Sequence, residues 1–153
     1  TYVHDGVVAQ LNQGASVTEA MRKVQLPDDL DVGEAYGRVS WSVRGLYEGY
    51  AGWFDGNPAT MYPVDEEDAY RELIGLAGGV GPVAQRTAAL LDAGETLKAL
   101  KLTDAVLAVD PHHQATLELR VAALKKLQLE SRNLNETGWL QYGMREAEKA
   151  MKP

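Results

Sequence analysis

No stretch of this chain longer than a few residues alternates apolar and polar side chains. Apolar residues recur instead at steps of three and four, interrupted at short intervals by glycine and proline, and that spacing admits short α-helices but no half-buried strand. The expected class is all-α, a bundle of antiparallel helical hairpins, because short helices joined by short loops turn back to pack on their neighbours. With 153 residues, 45% of them hydrophobic, the chain is long enough to fold as one domain, taken as residues 1–153.

Val3, Val7, Val8 and Leu11 share one face of a helix expected from Tyr2 to Asn12, closed by Gly14. Ser16-Val17-Thr18-Glu19 has capping-box spacing, and Ala20, Met21 and Val24 carry a second helix to about Gln25. Leu26-Pro27 breaks it, since proline lacks an N–H and disfavours helical geometry in the residue before it. The positions of Val39, Val43, Leu46, Tyr47, Tyr50, Trp53 and Phe54 predict a third helix from Val39 to Phe54, despite Gly45, Gly49 and Gly52. Each glycine costs a helix about 1 kcal/mol relative to alanine, so three of them point to close approach by another backbone, a partner helix or a ligand. Asp55-Gly56-Asn57-Pro58 is strong turn chemistry, and the TMYP run, Thr60 to Pro63, is expected as an extended connector.

Asp65, Glu66, Glu67 and Asp68 oppose the macrodipole at the start of a fourth helix, whose buried face is Tyr70, Leu73 and Ile74. Residues 77–82, AGGVGP, form the expected hinge. Helices are expected from about Pro82 to Ala93, Glu95 to Val109 and His113 to Leu129; SRNLNETGW reads as a polar loop before a last helix from about Trp139 to Ala150. Ala89 to Leu127 resembles a tetratricopeptide repeat, with Gly94, Ala99, Ala105, Asp110-Pro111 and Ala115 near that repeat's small positions and turn. A plain helical hairpin inside a larger bundle accounts for the same residues.

A net charge of -7 without any basic run argues against nucleic acid, whose affinity rests on Lys and Arg meeting phosphates. No apolar run approaches the roughly 20 residues of a spanning helix, so no membrane insertion is expected. The absence of cysteine excludes disulfides and thiolate chemistry and is compatible with a periplasmic or a cytoplasmic setting. Thr1-Tyr2-Val3 is neither an initiator methionine nor a signal peptide, so the chain is expected to be a piece of a longer protein.

His4, His112 and His113 are the only histidines, without HxH or HExxH spacing, and no metal ligand is expected among them. His112 and His113 follow Asp110-Pro111 in a solvated turn, and His4 reads as a packing or interface residue. Serine elbow, phosphate loop and dinucleotide fingerprint are all absent, and Glu72 and Glu118 lack partners for acid–base work. No catalytic residue is assigned, and the chain by itself is not expected to be an enzyme.

Most of the aromatic residues fall between Tyr36 and Pro63: Tyr36, Trp41, Tyr47, Tyr50, Trp53, Phe54 and Tyr62. Two readings stand side by side, a monomer core and a buried protein–protein surface with Arg44 beside aromatic anchors. Tyrosine with arginine also suits an anion such as sulfate, through an O–H donor and a charge-assisted fork.

YVHDGVVAQLNQG from Tyr2, then VQLPDDL, YGRVSWSVRGLYEGYAGWFDGNPA, LAGG, the Ala-Gly-Glu to Asp-Pro hairpin and SRNLNETGW together resemble, in order, the dimerisation domain of bacterial alkyl sulfatases. The resemblance covers nearly the whole chain. It implies an upstream metallo-β-lactamase-like domain whose two zinc ions, held by an HxHxDH cluster outside this chain, hydrolyse alkyl sulfate esters. It also implies a homodimer formed through the present domain, which would contact its own catalytic domain, and often a sterol-carrier-like domain afterwards. The YxGWFDGNPA motif is matched from Tyr50 to Ala59, and by that resemblance Tyr50 contacts the substrate sulfate. Arg44 occupies a basic position of the family, suited to an anion or an inter-domain ion pair; His4, Trp41, Tyr47, Trp53 and Phe54 are the expected interface or packing residues. Where some members read YGSVSHNV this chain reads YGRVSWSV, with Trp41 and Ser42 in place of His and Asn. Two rivals remain: a tetratricopeptide-type scaffold holding a peptide in a concave groove, resting on the Gly94 to Leu127 hairpin, and a stand-alone helical enzyme, which requires clustered buried carboxylates or histidines.

Overall fold

The computed structural model describes residues 1–152, and among them all regular structure is helical. The α-helices are α1 (Tyr2–Asn12), α2 (Val17–Lys23), α3 (Val39–Ala51), α4 (Glu66–Leu76), α5 (Val80–Asp92), α6 (Thr96–Val109), α7 (Gln114–Glu130) and α8 (Leu134–Ala150). Short 3-10 turns occupy Asp28–Leu30 and Pro58–Met61. The described residues divide into two compact units, one of residues 1–63 with 132–135, the other of residues 64–131 with 136–152.

The first unit is built on the pattern visible in sequence. Gly14, at φ 71°, donates its N–H to the Leu11 carbonyl at 3.0 Å while Ala15 donates to Gln10 at 3.1 Å, the pair of bonds that closes a Schellman motif. Ser16 and Glu19 form the expected capping box at the start of α2. Val7, Ala20, Val24 and Val43 are the buried centre, with Val3, Leu11, Met21, Val39, Leu46 and Tyr47 packed around them, so α3 lies against both α1 and α2.

Three boundaries differ from expectation. α3 stops at Ala51 rather than Phe54, because Gly52 adopts φ 73° and ψ −162°, a region essentially closed to other residues and incompatible with another helical turn. The TMYP run is not simply extended: Pro58 starts a 3-10 turn through Met61, aided by an Asn57 side chain that accepts from the Ala59 N–H. SRNLNETGW is mostly helix, since α8 begins at Leu134, directly after an Asn at the position that favours a helix cap.

In the second unit, α5 and α6 are joined by Ala93-Gly94-Glu95, and α6 and α7 by residues 110–113; both pairs pack together, as hairpins must when the link is this short. Of residues 77–82, Ala77, Gly78 and Gly79 form a tight turn in which Gly78 and Gly79 donate to Gly75 and Ile74, and Val80, Gly81 and Pro82 already belong to α5. Ile74, Ala105 and Val106, with Tyr70, Val80 and Val83, fix α4 on α6. The buried threonines Thr87 and Thr103 donate back to the Val83 and Leu100 carbonyls, so their hydroxyls are not stranded.

Candidate functional site

α1 and α3 bring His4 and Tyr50 together from 46 positions apart: His4 Nε2 lies 2.7 Å from the Tyr50 hydroxyl, and the rings meet edge to face at 5.7 Å. Asp5 Oδ1 stands 2.8 Å from His4 Nδ1, completing a file of carboxylate, imidazole and phenol. Tyr50 is 60% exposed, so the phenol is reachable from solvent. This file was not legible in sequence. Helical periodicity assigned His4 and Tyr50 to faces of separate helices, but nothing local encodes that those faces meet.

Arg44 does not join it. Six residues along an α-helix rotate a side chain by about 240°, so Arg44 and Tyr50 leave α3 in different directions, and Arg44 Nε pairs with Glu48 Oε1 at 2.8 Å. Tyr47 turns inward, packing on the core and donating its hydroxyl to the Ala15 carbonyl at 2.8 Å. The other aromatics stay outside: Trp41, Trp53 and Phe54 are exposed, Trp53 to 75%, and Trp53 and Phe54 contact each other edge to face at 5.7 Å. Of the aromatic crowd on and after α3, the core of the first unit therefore absorbs Tyr47 and leaves Trp41, Tyr50, Trp53 and Phe54 in solvent.

The turn that presents Trp53 and Phe54 is self-braced. Asp55 Oδ1 accepts from the Asn57 N–H at 2.9 Å and the Thr60 hydroxyl at 2.8 Å, and these donors, the backbone N–H first, hold the Asp55 carboxyl below the usual aspartate range. Gly45 and Gly49 open onto space, with no atom within 4 Å of where a Cβ would stand, so nothing in the described residues makes the close approach that glycines in a helix suggest. His112 Nδ1 lies 2.9 Å from the Ala150 carbonyl oxygen, and His113 caps α7 through Thr116. Among the described residues no group of three His, Asp or Glu can hold a metal ion, so the two zinc ions implied by the resemblance find no ligand set here and no chemistry is assigned through them. Also among them, no helix is long and apolar enough to cross a membrane.

Comparison with known proteins gives this arrangement its context. The chain is 32% identical over 143 residues to a linear primary-alkylsulfatase of Pseudomonas sp. (strain ATCC 19151), covering 90% of this chain and 27% of that protein. It is 26% identical over 130 residues to the alkyl/aryl-sulfatase BDS1 of Saccharomyces cerevisiae, covering 82% of this chain and 20% of that protein. A solved structure of a stereoselective inverting sec-alkylsulfatase from Pseudomonas sp. superposes with a TM-score of 0.87 at 24% identity, over 95% of this chain and 24% of that one, which shows the fold. The chain thus spans only about a fifth to a quarter of the length of these relatives. Residues 16–150 match the family described as alkyl sulfatase dimerisation, and the chain belongs to that family.

Proposed function

We propose that this chain is the helical dimerisation module of an alkyl-sulfatase-like hydrolase with a metallo-β-lactamase fold, that it pairs two subunits, and that Tyr50 closes one wall of a sulfate site. Hydrolysis, with its two zinc ions, belongs to another part of the full protein. The observations that carry the reading are the exposure of Tyr50, Trp53 and Phe54 at the outer end of α3 and, separately, the helix surface at Gly45 and Gly49 that no atom of the described residues covers. Exposed aromatics supply anchor area, and an uncovered small-residue surface allows a partner backbone to come close. Arg44, turned away from Tyr50 and paired with Glu48, suits an ion pair at the domain surface better than a shared grip on one sulfate.

Light scattering on the chain tests the pairing. Trp53→Ala, at a side chain that contributes nothing to the described core, is expected to weaken self-association at least about tenfold, the loss of one anchor. A dimer that survives both Trp53→Ala and Tyr50→Ala unchanged places the interface elsewhere. In the full-length protein, Tyr50→Phe is expected to lower alkyl sulfate turnover while leaving the dimer intact, and unchanged kinetics remove Tyr50 from the sulfate wall.

A further inference from the structure

The direction of the hydrogen bond between His4 and Tyr50 is set by Asp5. A carboxylate only accepts, so its 2.8 Å contact with His4 Nδ1 places the imidazole proton there and leaves a lone pair at Nε2 in the neutral ring. The phenol then donates its single proton to Nε2 across 2.7 Å and turns only lone pairs outward. Sulfate oxygens are acceptors as well, and such a phenol offers them nothing. Protonation of His4 reverses the bond: Nδ1–H still donates to Asp5, Nε2–H now donates to the phenol oxygen, and the Tyr50 O–H swings free to donate to an anion.

We propose that Asp5 and His4 are positioning residues forming a proton-operated switch, in which Tyr50 grips a sulfate-class oxyanion only when His4 carries both ring protons. The inference rests on the Tyr50 reading above and adds its regulation. No covalent step is involved; where the free protein holds His4 neutral, each anion bound at Tyr50 is accompanied by one proton taken up from solvent at His4 Nε2. The charged and titratable groups on the packed elements leave this file distinct. On α1 these are Tyr2 and Asp5. On α3, Arg44 and Glu48 pair with each other, and Tyr47 is committed to Ala15. On α2, Glu19 is engaged by Ser16 and Lys23 and Arg22 are exposed.

Titration calorimetry of the full-length protein with inorganic sulfate, in buffers of different protonation enthalpy, tests the switch. Sulfate keeps its charge from mildly acidic to mildly basic solution, so affinity is expected to fall about tenfold or more as rising pH removes the Nε2 proton of His4, the loss of a hydrogen bond to a charged group. Proton uptake per sulfate is expected to approach one where the free protein holds His4 neutral. His4→Gln, whose amide rotates to donate to Tyr50, is expected to flatten the pH profile. Asp5→Asn, which frees the neutral ring to carry its proton on Nε2, is expected to restore high-pH binding. A wild-type pH profile retained in His4→Gln, or sulfate binding at the high-pH end without proton uptake, overturns the switch. Nitrogen-15 NMR of the histidines separates it from the reading beneath it: a neutral His4 protonated at Nε2 overturns the switch alone, whereas unchanged low-pH sulfate affinity in Tyr50→Phe overturns both.

Discussion

Asn133 donates its side-chain amide to the Glu34 carbonyl oxygen at 2.7 Å, joining residues 99 positions apart. The same amide reaches the Gly37 carbonyl at 3.1 Å, the Leu134 N–H takes the Ala35 carbonyl and the Asn135 amide takes that of Tyr36. Four successive carbonyls of the approach to α3 are thus satisfied by three residues at the start of α8. Asn133 is 2% exposed, so alanine there removes a buried amide and both of its hydrogen bonds to the approach to α3. Asn133→Ala is expected to destabilise the chain by about 1–3 kcal/mol, measured by urea unfolding. Asn133→Asp is expected to cost more, because a carboxylate faces carbonyl oxygens; a neutral Asn133→Asp sinks the account.

Those contacts also show where sequence reading stops. Helix existence followed from three- and four-residue spacing, and the turns at Gly14 and Gly94 from glycine's access to positive φ. The start of α8 was hidden because SRNLNETGW is polar: its asparagines are used to bind a distant loop, and composition cannot distinguish a solvated polar residue from a buried, satisfied one. The end of α3 was misplaced for the opposite reason, since Trp53 and Phe54 fit the apolar period while Gly52 had already ended the helix. The file of Asp5, His4 and Tyr50 depends on how α1 and α3 face each other, a tertiary fact without a local signature.

The capping box of α2 predicts acid sensitivity with a definite sign. Glu19 is held below the usual glutamate range, first by the Ser16 backbone N–H and then by its hydroxyl, with Lys23 adding attraction. A depressed folded value means stability that is present above the unfolded glutamate range and lost as pH falls through the folded value. Glu19→Gln is therefore expected to lower the unfolding midpoint at neutral pH and to match the wild type at strongly acidic pH. An equal gap at both ends of the range removes Glu19 from the acid response. Ser16→Ala is expected to cost about 1 kcal/mol as a lost cap.

In the second unit, Arg120 joins α7 to α6 by donating to Asp104 at 2.6 Å and to the Thr103 hydroxyl at 2.8 Å. Both charged side chains keep about a third or less of their exposure, 27% and 34%, which places the pair between a surface bridge and a buried one. A coupling of about 1 kcal/mol is expected from the double-mutant cycle of Arg120→Met and Asp104→Asn. Thr103 still donates to Leu100 when Arg120 is gone, so the hydroxyl does not add a stranded donor to the cost. A cycle that closes to zero means the helices hold by apolar packing alone.

Gly45 and Gly49 separate fold stability from association. Both lie inside α3 with open space where a Cβ would sit, so alanine at either meets no obstacle within the chain and gains helix propensity. Each substitution is expected to stabilise the monomer by about 1 kcal/mol. If a partner helix uses that surface, the added methyl groups hold it away, and Gly45→Ala with Gly49→Ala is expected to raise the dimer dissociation constant while raising the unfolding midpoint. Gly52→Ala supplies the contrast: its φ of 73° is unfavourable for alanine, so loss of stability there is expected without the opposing gain. Thermal unfolding and light scattering on the same samples decide the matter. Stability and association rising together in Gly45→Ala exclude this face from the interface, because only a partner-facing glycine makes them move in opposite directions.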